Sequence, residues 1–415
     1  MKNPAFFLPV IIEIIDSFCF LCIKEKLIME KPRVLLTYIE SGMGHIMSMR
    51  AIEDGLKKYS DKIDIITTDI MKDEHDETAI KFEKFLINQT KMTNKSKLYS
   101  NTVFFLMTYF GRQHLMRILH KSVFKKASDI TIKAMQKFNP DVIISNHYFV
   151  TFCAVELKKR YMPNLTVITY NPDNNVHVWW DNRSDLFINN NDEACNESIK
   201  KRDFNFSQIK KVYFTARKEI VEANKTKEEY RKMYGLDDRF TIIIADGAYA
   251  SGRAKSMCKI LLRTNKKVNI LMVAGKNEKV YNYFKKKAKK VKSNINLIPL
   301  RFQEKIYELY AASDIFISKA GPNALLDCFF MGTPVIVDYY AHPIEKATTK
   351  LFIDEFGCGL HVYHRHEMLR QVEHLIDHPE ILAEYRKNIS KKLDKNNNGS
   401  NQIAKIIMNA IKKGV

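Results

Sequence analysis

Two short turns in this sequence carry residue types and spacings that suit chemistry. The first is Glu40-Ser41-Gly42-Met43-Gly44-His45. Gly42 and Gly44 let backbone N–H groups approach an oxygen-rich ligand, and a helix opening behind them adds a positive end. A histidine projecting from such a turn polarises or deprotonates a hydroxyl near neutral pH, so His45 is the first candidate for a general base or for a group that orients one. The spacing approaches G-x-G-x-x-G, but Met47 stands where the last glycine belongs, and a dinucleotide reading would lean on Asp69 to hold a ribose. The second turn is Ser318-Lys319-Ala320-Gly321-Pro322-Asn323-Ala324-Leu325-Leu326-Asp327. A strand ends at a Gly-Pro break and a helix starts there. Its first N–H groups suit a pyrophosphate, and Asp327, about one helical turn further on, suits the hydroxyls of a ribose. The pair of turns points to a nucleotide diphosphate on one side and a hydroxyl on the other.

Both turns need strands and helices to aim them. Arg33 to Tyr38 is an apolar, β-rich run before the first turn, and Ile46 to Tyr59 has helical spacing of apolar residues after it. Further strands are expected at Ile63 to Thr68, Val142 to Ser145, Leu165 to Tyr170 and Leu186 to Asn189. A second series follows a charged stretch near Val221 to Arg231: Thr241 to Ala245, Val268 to Val273, Ile295 to Pro299, Asp314 to Ser318 and Pro334 to Asp338, with helices between, such as Arg253 to Leu262, Ala324 to Phe330 and Glu345 to Phe356. Strands alternating with helices predict an α/β protein with parallel sheets wrapped on both faces. Two doubly wound, Rossmann-like domains facing a cleft are therefore expected, with ligands outside the carboxyl ends of the strands. The expected division is residues 1–30 as an apolar extension or interfacial segment, 31–210 as the first domain, 211–230 as a linker, 231–399 as the second domain and 400–415 as an amphipathic helix.

Composition sets the outer limits. With 415 residues the chain has room for two ordinary domains, and 46% hydrophobic with 11% aromatic residues exclude wholesale disorder. Seven cysteines, an odd number, do not form a disulfide framework and favour a reducing compartment. Cys19 and Cys22 lack a second pair to complete a zinc site, and no metal is expected. Lys plus Arg number 67 against 47 Asp plus Glu, a net charge of +20, which points to a polyanionic partner without choosing one. No zinc finger, arginine-rich tract or ribonucleoprotein-type aromatic motif is present, so nucleic acid is the least favoured partner.

The second turn resembles the nucleotide-sugar signature T-K-x-G-G/P-x-T-x-x-E of the glycosyltransferase family of monogalactosyldiacylglycerol synthases and processive diacylglycerol glucosyltransferases, related to the peptidoglycan enzyme that adds N-acetylglucosamine to lipid I. Ser318, Lys319, Gly321, Pro322 and Asp327 occupy matching positions, while Asn323 replaces a usual glycine, Ala324 a usual threonine and Asp327 a usual glutamate. The resemblance extends over most of Arg33 to Val362 and implies the two-domain fold known as GT-B. It implies that Gly275 and Lys276, in Val273-Ala274-Gly275-Lys276-Asn277, lie near the phosphates, that Phe302 flanks the uracil ring, and that Glu345, in the loop from His342 to Lys346, contacts sugar or nucleotide. Asp246-Gly247-Ala248-Tyr249-Ala250-Ser251-Gly252 is similar to the family's glycine-rich loop, with Gly247 and Gly252 retained. Gly42-Met43-Gly44-His45 resembles the family's G-x-G-H acceptor and catalytic turn. His177, Trp179 and Trp180, with Asp185 to Ile188 behind them, resemble the H-x-x-W and D-x-Y/F-x-V stretch of the processive enzymes. There Asn171, Asp173, His177 and Trp179 are secondary site candidates, and Asp173 is an alternative base. A tryptophan beside polar groups lines a sugar or headgroup subsite as readily as it fills a core.

Membrane contact is expected at the surface only. Ala5 to Ile23 is apolar but broken by Glu13 and Asp16, which argues against a bilayer span, and no small-residue cleavage site follows. An interfacial anchor and an upstream extension with Met29 as the working start both remain open. Lys97 to Lys126 joins Val103 to Phe110 to Arg112, Arg117, His120, Lys121, Lys125 and Lys126, a pattern suited to an anionic bilayer surface. The expectation is an inverting hexosyltransferase on the inner face of the cell membrane, moving a sugar from a uridine-diphosphate donor to a lipid hydroxyl such as that of diacylglycerol, with no cofactor beyond the donor. A nucleotide-sugar epimerase of the same fold and a non-catalytic nucleotide-sugar or membrane-binding module are the alternatives, and the oligomeric state is not legible.

Overall fold

The computed structural model describes residues 31–39, 43–72, 76–110, 113–248, 250, 253–339 and 343–413. The expectations for residues 1–30, Gly42, Arg112, Gly252 and His342 fall outside them. The chain forms two sheets of six strands. In the first, β1 (Arg33–Tyr38), β2 (Asp64–Asp69), β3 (Val142–Ser145), β4 (Thr166–Tyr170), β5 (Leu186–Asn189) and β6 (Ile209–Lys211) lie in the order β2-β1-β3-β4-β5-β6. In the second, β7 (Phe240–Ile244), β8 (Val268–Val273), β9 (Ile295–Leu300), β10 (Ile315–Lys319), β11 (Val335–Tyr339) and β12 (Gly359–His361) lie in the order β12-β11-β10-β7-β8-β9. Every pairing is parallel.

These runs are apolar throughout because both faces of each sheet are covered, as parallel sheets require. Successive side chains alternate between two cores. Leu35, Ile143 and Val167 join one cluster, while Val34, Leu36, Ile144 and Ile168 join the other on the opposite face. Ile243, Leu271, Phe316 and Val335 alternate in the same way with Ile242, Ile270, Ile315, Ile317 and Ile336. The charged stretch before the second sheet is itself helical: Thr226 caps the helix Lys227–Met233 with a full capping box, and Tyr230 from it is buried in the second domain's core.

The last helix, Gly399–Lys413, returns to the first domain. Ile403, Ala404, Ile407 and Met408 pack with Met49 and Ile52 of the helix Met43–Leu56 and with β1. The approach is close: a Cβ on Gly55 would sit 2.5 Å from the Ser400 carbonyl oxygen. Gly55→Ala is expected to push the two helices apart and to destabilise the protein by about 1–3 kcal/mol, as overpacking of a tight contact does. Thermal denaturation of the purified variant checks this.

Candidate functional site

The loops that leave the carboxyl ends of the strands in the two sheets meet each other. Behind β1, the helix Met43–Leu56 opens with Gly44, whose absent side chain leaves room for Asn323: a Cβ there would lie 3.0 Å from Asn323 Nδ2. Behind β4, Asn174 Nδ2 donates to Thr348 Oγ1 across the same gap at 3.2 Å. The two chemical turns read from the sequence are thus neighbours, one from each domain.

On the first domain's side, His45 is half-buried. Its carbonyl oxygen accepts from Asn146 Nδ2 at 2.7 Å, and the same amide reaches Ser48 Oγ at 2.8 Å. Asn146 follows β3, so the neighbouring strand end fixes the start of the His45 helix. The ring nitrogen Nδ1 of His45 is buried without a hydrogen-bond partner. Burial drives its pKa down to about 4, only partly opposed by Asn146, so the ring is neutral at neutral pH and its basicity in the ligand-free protein is reduced. His147 stands edge-on to it, ring centroids 5.3 Å apart, and caps the helix Tyr148–Arg160 by accepting from the Phe149 amide at Nδ1. His147 was not among the residues the sequence suggested. Its one signal was its place, two residues past the end of a strand adjacent to β1.

An aromatic wall continues from there. His147 stacks on Tyr148 at 4.6 Å, and Tyr148 meets Trp179 at 5.2 Å and His177 at 6.1 Å. Trp179 is half-buried, while Trp180 is 2% exposed and packs on Phe187 in the core; the Nε1 of each has no hydrogen-bond partner. Asn171 is buried and builds its own loop through Asn175 and Asn189. Asp173, half-buried in the same loop, has its pKa raised to about 7, first by burial and then by the negative charge of Glu345 in the other domain.

That shift has a consequence for stability. Between the usual carboxylate range and about pH 7 the folded Asp173 holds a proton that the unfolded chain releases, so stability falls as pH rises through that window. Asp173→Asn is expected to flatten this slope, with the variant gaining on wild type at pH 8 and matching it below pH 4. Melting temperatures across the pH range test it.

On the second domain's side, β10 ends at Ser318 and Lys319, and Lys319 Nζ pairs with Glu345 Oε1 at 2.5 Å. Gly321 is the N-cap of the helix Pro322–Phe330, with proline in its first turn. The first helical bond runs from Leu325 N to Gly321 O, so the amides of Asn323 and Ala324 precede the ladder and have no intrahelical acceptor. A Cβ on Gly321 or on Gly247 would meet nothing within 4 Å, so both border open space. Gly275 has φ +58°, and a Cβ there would lie 2.2 Å from the Ala248 carbonyl oxygen. Only glycine fits that crossing, and the Lys276 amide then donates to the same oxygen at 2.7 Å. The loops behind β7 and β8 are locked together in this way, with Lys276 Nζ 5.7 Å from the Phe302 ring centroid.

Asp327 lies one turn into the Gly321 helix, half-buried. Its Oδ2 accepts from Arg217 at 2.9 Å, and Arg217 is itself 5% exposed and also holds Glu219. Burial raises the Asp327 pKa and Arg217 opposes it. Arg217, from the segment joining the domains, is, like His147 and Asn146, a residue the sequence did not suggest. Among the described residues no side chain donates to Oδ1 of Asp327, which leaves that atom to meet a ligand hydroxyl. Among the described residues no group of three or more His, Cys, Asp or Glu side chains is arranged to hold a metal ion.

The interfacial segment reads differently in part. Leu98, Phe105, Leu106, Ile118 and Val123 are exposed, on and just after the helices Lys97–Phe110 and Gln113–Lys121. Two members of the expected basic run point inward instead: Arg117 donates to Asn182 Oδ1 at 2.6 Å, and His120 is 2% exposed and stacked on Phe152. A helical segment shows only part of its circumference, so these two serve packing while Lys121, Lys125 and Lys126 stay exposed. No helix among the described residues is long and apolar enough to cross a membrane.

Comparison with known proteins bears on this geometry. Residues 252–347 match the glycosyltransferase family 28 C-terminal domain. A probable monogalactosyldiacylglycerol synthase of Glycine max is 25% identical over 354 residues, which are 80% of this chain and 62% of that protein. The chain thus spans less than two thirds of that relative's length. A processive diacylglycerol beta-glucosyltransferase of Bacillus licheniformis is 24% identical over 69% of this chain and 74% of its own. Among solved structures, MurG of Acinetobacter baumannii superposes with a TM-score of 0.56 at 13% identity, over 91% of this chain and 99% of that one. The Gly321 helix and the strand before it thus lie in the stretch that matches the glycosyltransferase family 28 C-terminal domain, on a GT-B fold and in a chain similar in sequence to glycolipid synthases.

Proposed function

We propose that the protein is an inverting glycosyltransferase that moves a hexose from a uridine-diphosphate sugar to a lipid hydroxyl such as that of diacylglycerol. The observation that carries this reading is the contact of Gly44 with Asn323, which sets the His45 turn against the open helix start at Gly321. The acceptor oxygen attacks the anomeric carbon from the face opposite the diphosphate, and the bond to the diphosphate oxygen breaks. His45 takes the acceptor proton, with Asp173 as the alternative base. Charge gathering on the leaving diphosphate is stabilised by the amides of Asn323 and Ala324 and by Lys319. Gly247, Gly275, Lys276 and Ser318 line the phosphate side, Phe302 flanks the base, Asp327 holds the ribose and Glu345 sets Lys319 toward the donor. Gly44, His177 and Trp179 receive the acceptor. No cofactor beyond the donor is assigned.

The names of the sequence relatives support a lipid acceptor, and the exposed apolar side chains beside Lys121, Lys125 and Lys126 support a peripheral approach to the inner face of the cell membrane. Charge reversal at Lys125 and Lys126 is expected to weaken binding to anionic vesicles by about thirtyfold or more at low salt, since about 1 kcal/mol per basic residue near the surface is about 2 kcal/mol for the pair and each 1.4 kcal/mol is tenfold; vesicle sedimentation measures it. The activity itself is tested by incubating the protein with several uridine-diphosphate sugars and a total lipid extract and weighing the products. A glycosylated lipid supports the reading. An isomerised donor with no acceptor consumed would replace it with epimerisation, and donor binding without turnover would leave a binding module.

A further inference from the structure

Five of the chain's twelve histidines fall between His361 and His378, and two of them meet at a corner of the second domain. His374 and His378 are four residues apart at the end of the helix Glu367–Asp377, where the His378 amide donates to the His374 carbonyl oxygen at 2.9 Å. Residues so spaced leave the same face of a helix. Their ring centroids are 4.3 Å apart, with the planes at 51°. An ion bonded to two imidazole nitrogens lies about 2.0–2.1 Å from each, so the nitrogens stand within about 4 Å of one another. The observed ring spacing allows that, and both residues are exposed to solvent. Behind His378, Glu380 Oε1 lies 2.9 Å from Nδ1. The Glu380 carboxyl is held below its ordinary range, first by its own backbone amide and then by His378 and His374. A carboxylate only accepts, so Nδ1 carries the proton and Nε2 keeps its lone pair. Metal-binding histidines are oriented in the same way, by a carboxylate on the other ring nitrogen. The last carbonyls of the helix add partial negative charge at this corner. Asp377 is paired with Lys266 at 2.5 Å. Lys266 precedes β8, which puts the corner beside the amino ends of the strands and away from the cleft. The other histidine pair, His364 and His366, is less suited: its rings are nearly parallel, 5.6 Å apart, and among the described residues no carboxylate is hydrogen-bonded to either.

We infer that His374 and His378 form a binding site for one divalent transition-metal ion, with Glu380 orienting the second ring and water completing the coordination. Imidazole ligands select zinc, copper and nickel over magnesium and calcium, which take oxygen ligands. The bound ion joins the last turn of one helix to the residue that opens the next, Pro379–Lys392. It thereby clamps a corner whose Leu375 and Leu382 belong to the second domain's core. None of this depends on the donor reading. The test titrates the full chain with zinc chloride by calorimetry, beside His374→Gln, His378→Gln, Glu380→Gln and a His364→Gln/His366→Gln control, all at exposed positions. Melting curves without metal report that each variant is folded. Zinc held elsewhere on the chain is common to every variant, so the difference from wild type isolates this site. Wild type is expected to bind one zinc ion more than either single histidine variant at position 374 or 378, and magnesium chloride is expected not to compete for it. Zinc should raise the melting temperature of wild type more than that of those two variants, because an ion that binds only the folded chain stabilises it. Glu380→Gln is expected to weaken this site about tenfold, the lower end for loss of a carboxylate behind a metal-binding histidine. The control should match wild type. Zinc isotherms that are the same for wild type, His374→Gln and His378→Gln would overturn the site, as would loss of the ion in the control alone.

Discussion

His45→Ala is expected to lower turnover by about 10²–10⁴-fold, the range for loss of a positioned general base, while the affinity for uridine diphosphate changes less than about twofold. The asymmetry follows from where the ring acts. His45 stands in the first domain, on the acceptor side of the proposed reaction; its lowered pKa keeps the imidazole neutral, and its buried Nδ1 has no protein partner. Such an interaction is realised when the acceptor hydroxyl loses its proton, so it appears in the rate of the chemical step and not in donor binding. The side chain is half-buried and the helix is held from outside by Asn146 through the His45 backbone, which alanine retains. Single-turnover kinetics with the donor in excess, beside a binding titration, separate the two quantities. Unchanged turnover in folded protein would remove His45 from its role and leave Asp173 to be tested in the same way.

Asp327→Asn should weaken donor binding by about ten- to a hundredfold, since hydrogen bonds to a charged group contribute about 1.5–3 kcal/mol and each 1.4 kcal/mol is tenfold. Asparagine is the informative substitution because alanine would also strand Arg217, a buried cation, and so mix a folding defect with a binding one. The amide keeps one acceptor oxygen for Arg217 or for the ribose, but not both with full charge. Turnover at saturating donor should fall much less than affinity, the reverse of the pattern at His45. Calorimetric titration with uridine diphosphate measures the loss, and a melting curve on the same sample reports whether Arg217 has kept its partner. Affinity equal to wild type would place the ribose elsewhere.

The contrast between these two residues shows what a sequence carries and what it does not. The turns at Gly44-His45 and Gly321-Pro322 were legible because glycine and proline punctuate the strand and helix pattern on either side. The strands were legible because β3 and β8 are buried on both faces and so read as unbroken apolar runs. The three-residue strands β6 and β12 are too short to show a period, and the helix after β11 passes into a π-helical turn over Lys350–Glu355 that no pattern announces. His147, Asn146 and Arg217 were missed for a different reason. Each works by reaching a residue distant in sequence, His45 or Asp327, and such partnerships exist only once the strand order is fixed. The inward turn of Arg117 and His120 belongs to the same class, because Asn182 and Phe152 supply the reason.

The central claim is that the second domain grips a diphosphate at the start of the helix Pro322–Phe330, facing the His45 turn. A crystal structure of the protein soaked with uridine diphosphate tests it most directly. The account predicts phosphate oxygens within hydrogen-bond distance of the Asn323 and Ala324 amides and the ribose against Asp327. Uridine diphosphate bound elsewhere, with those amides facing only solvent or protein, would contradict it.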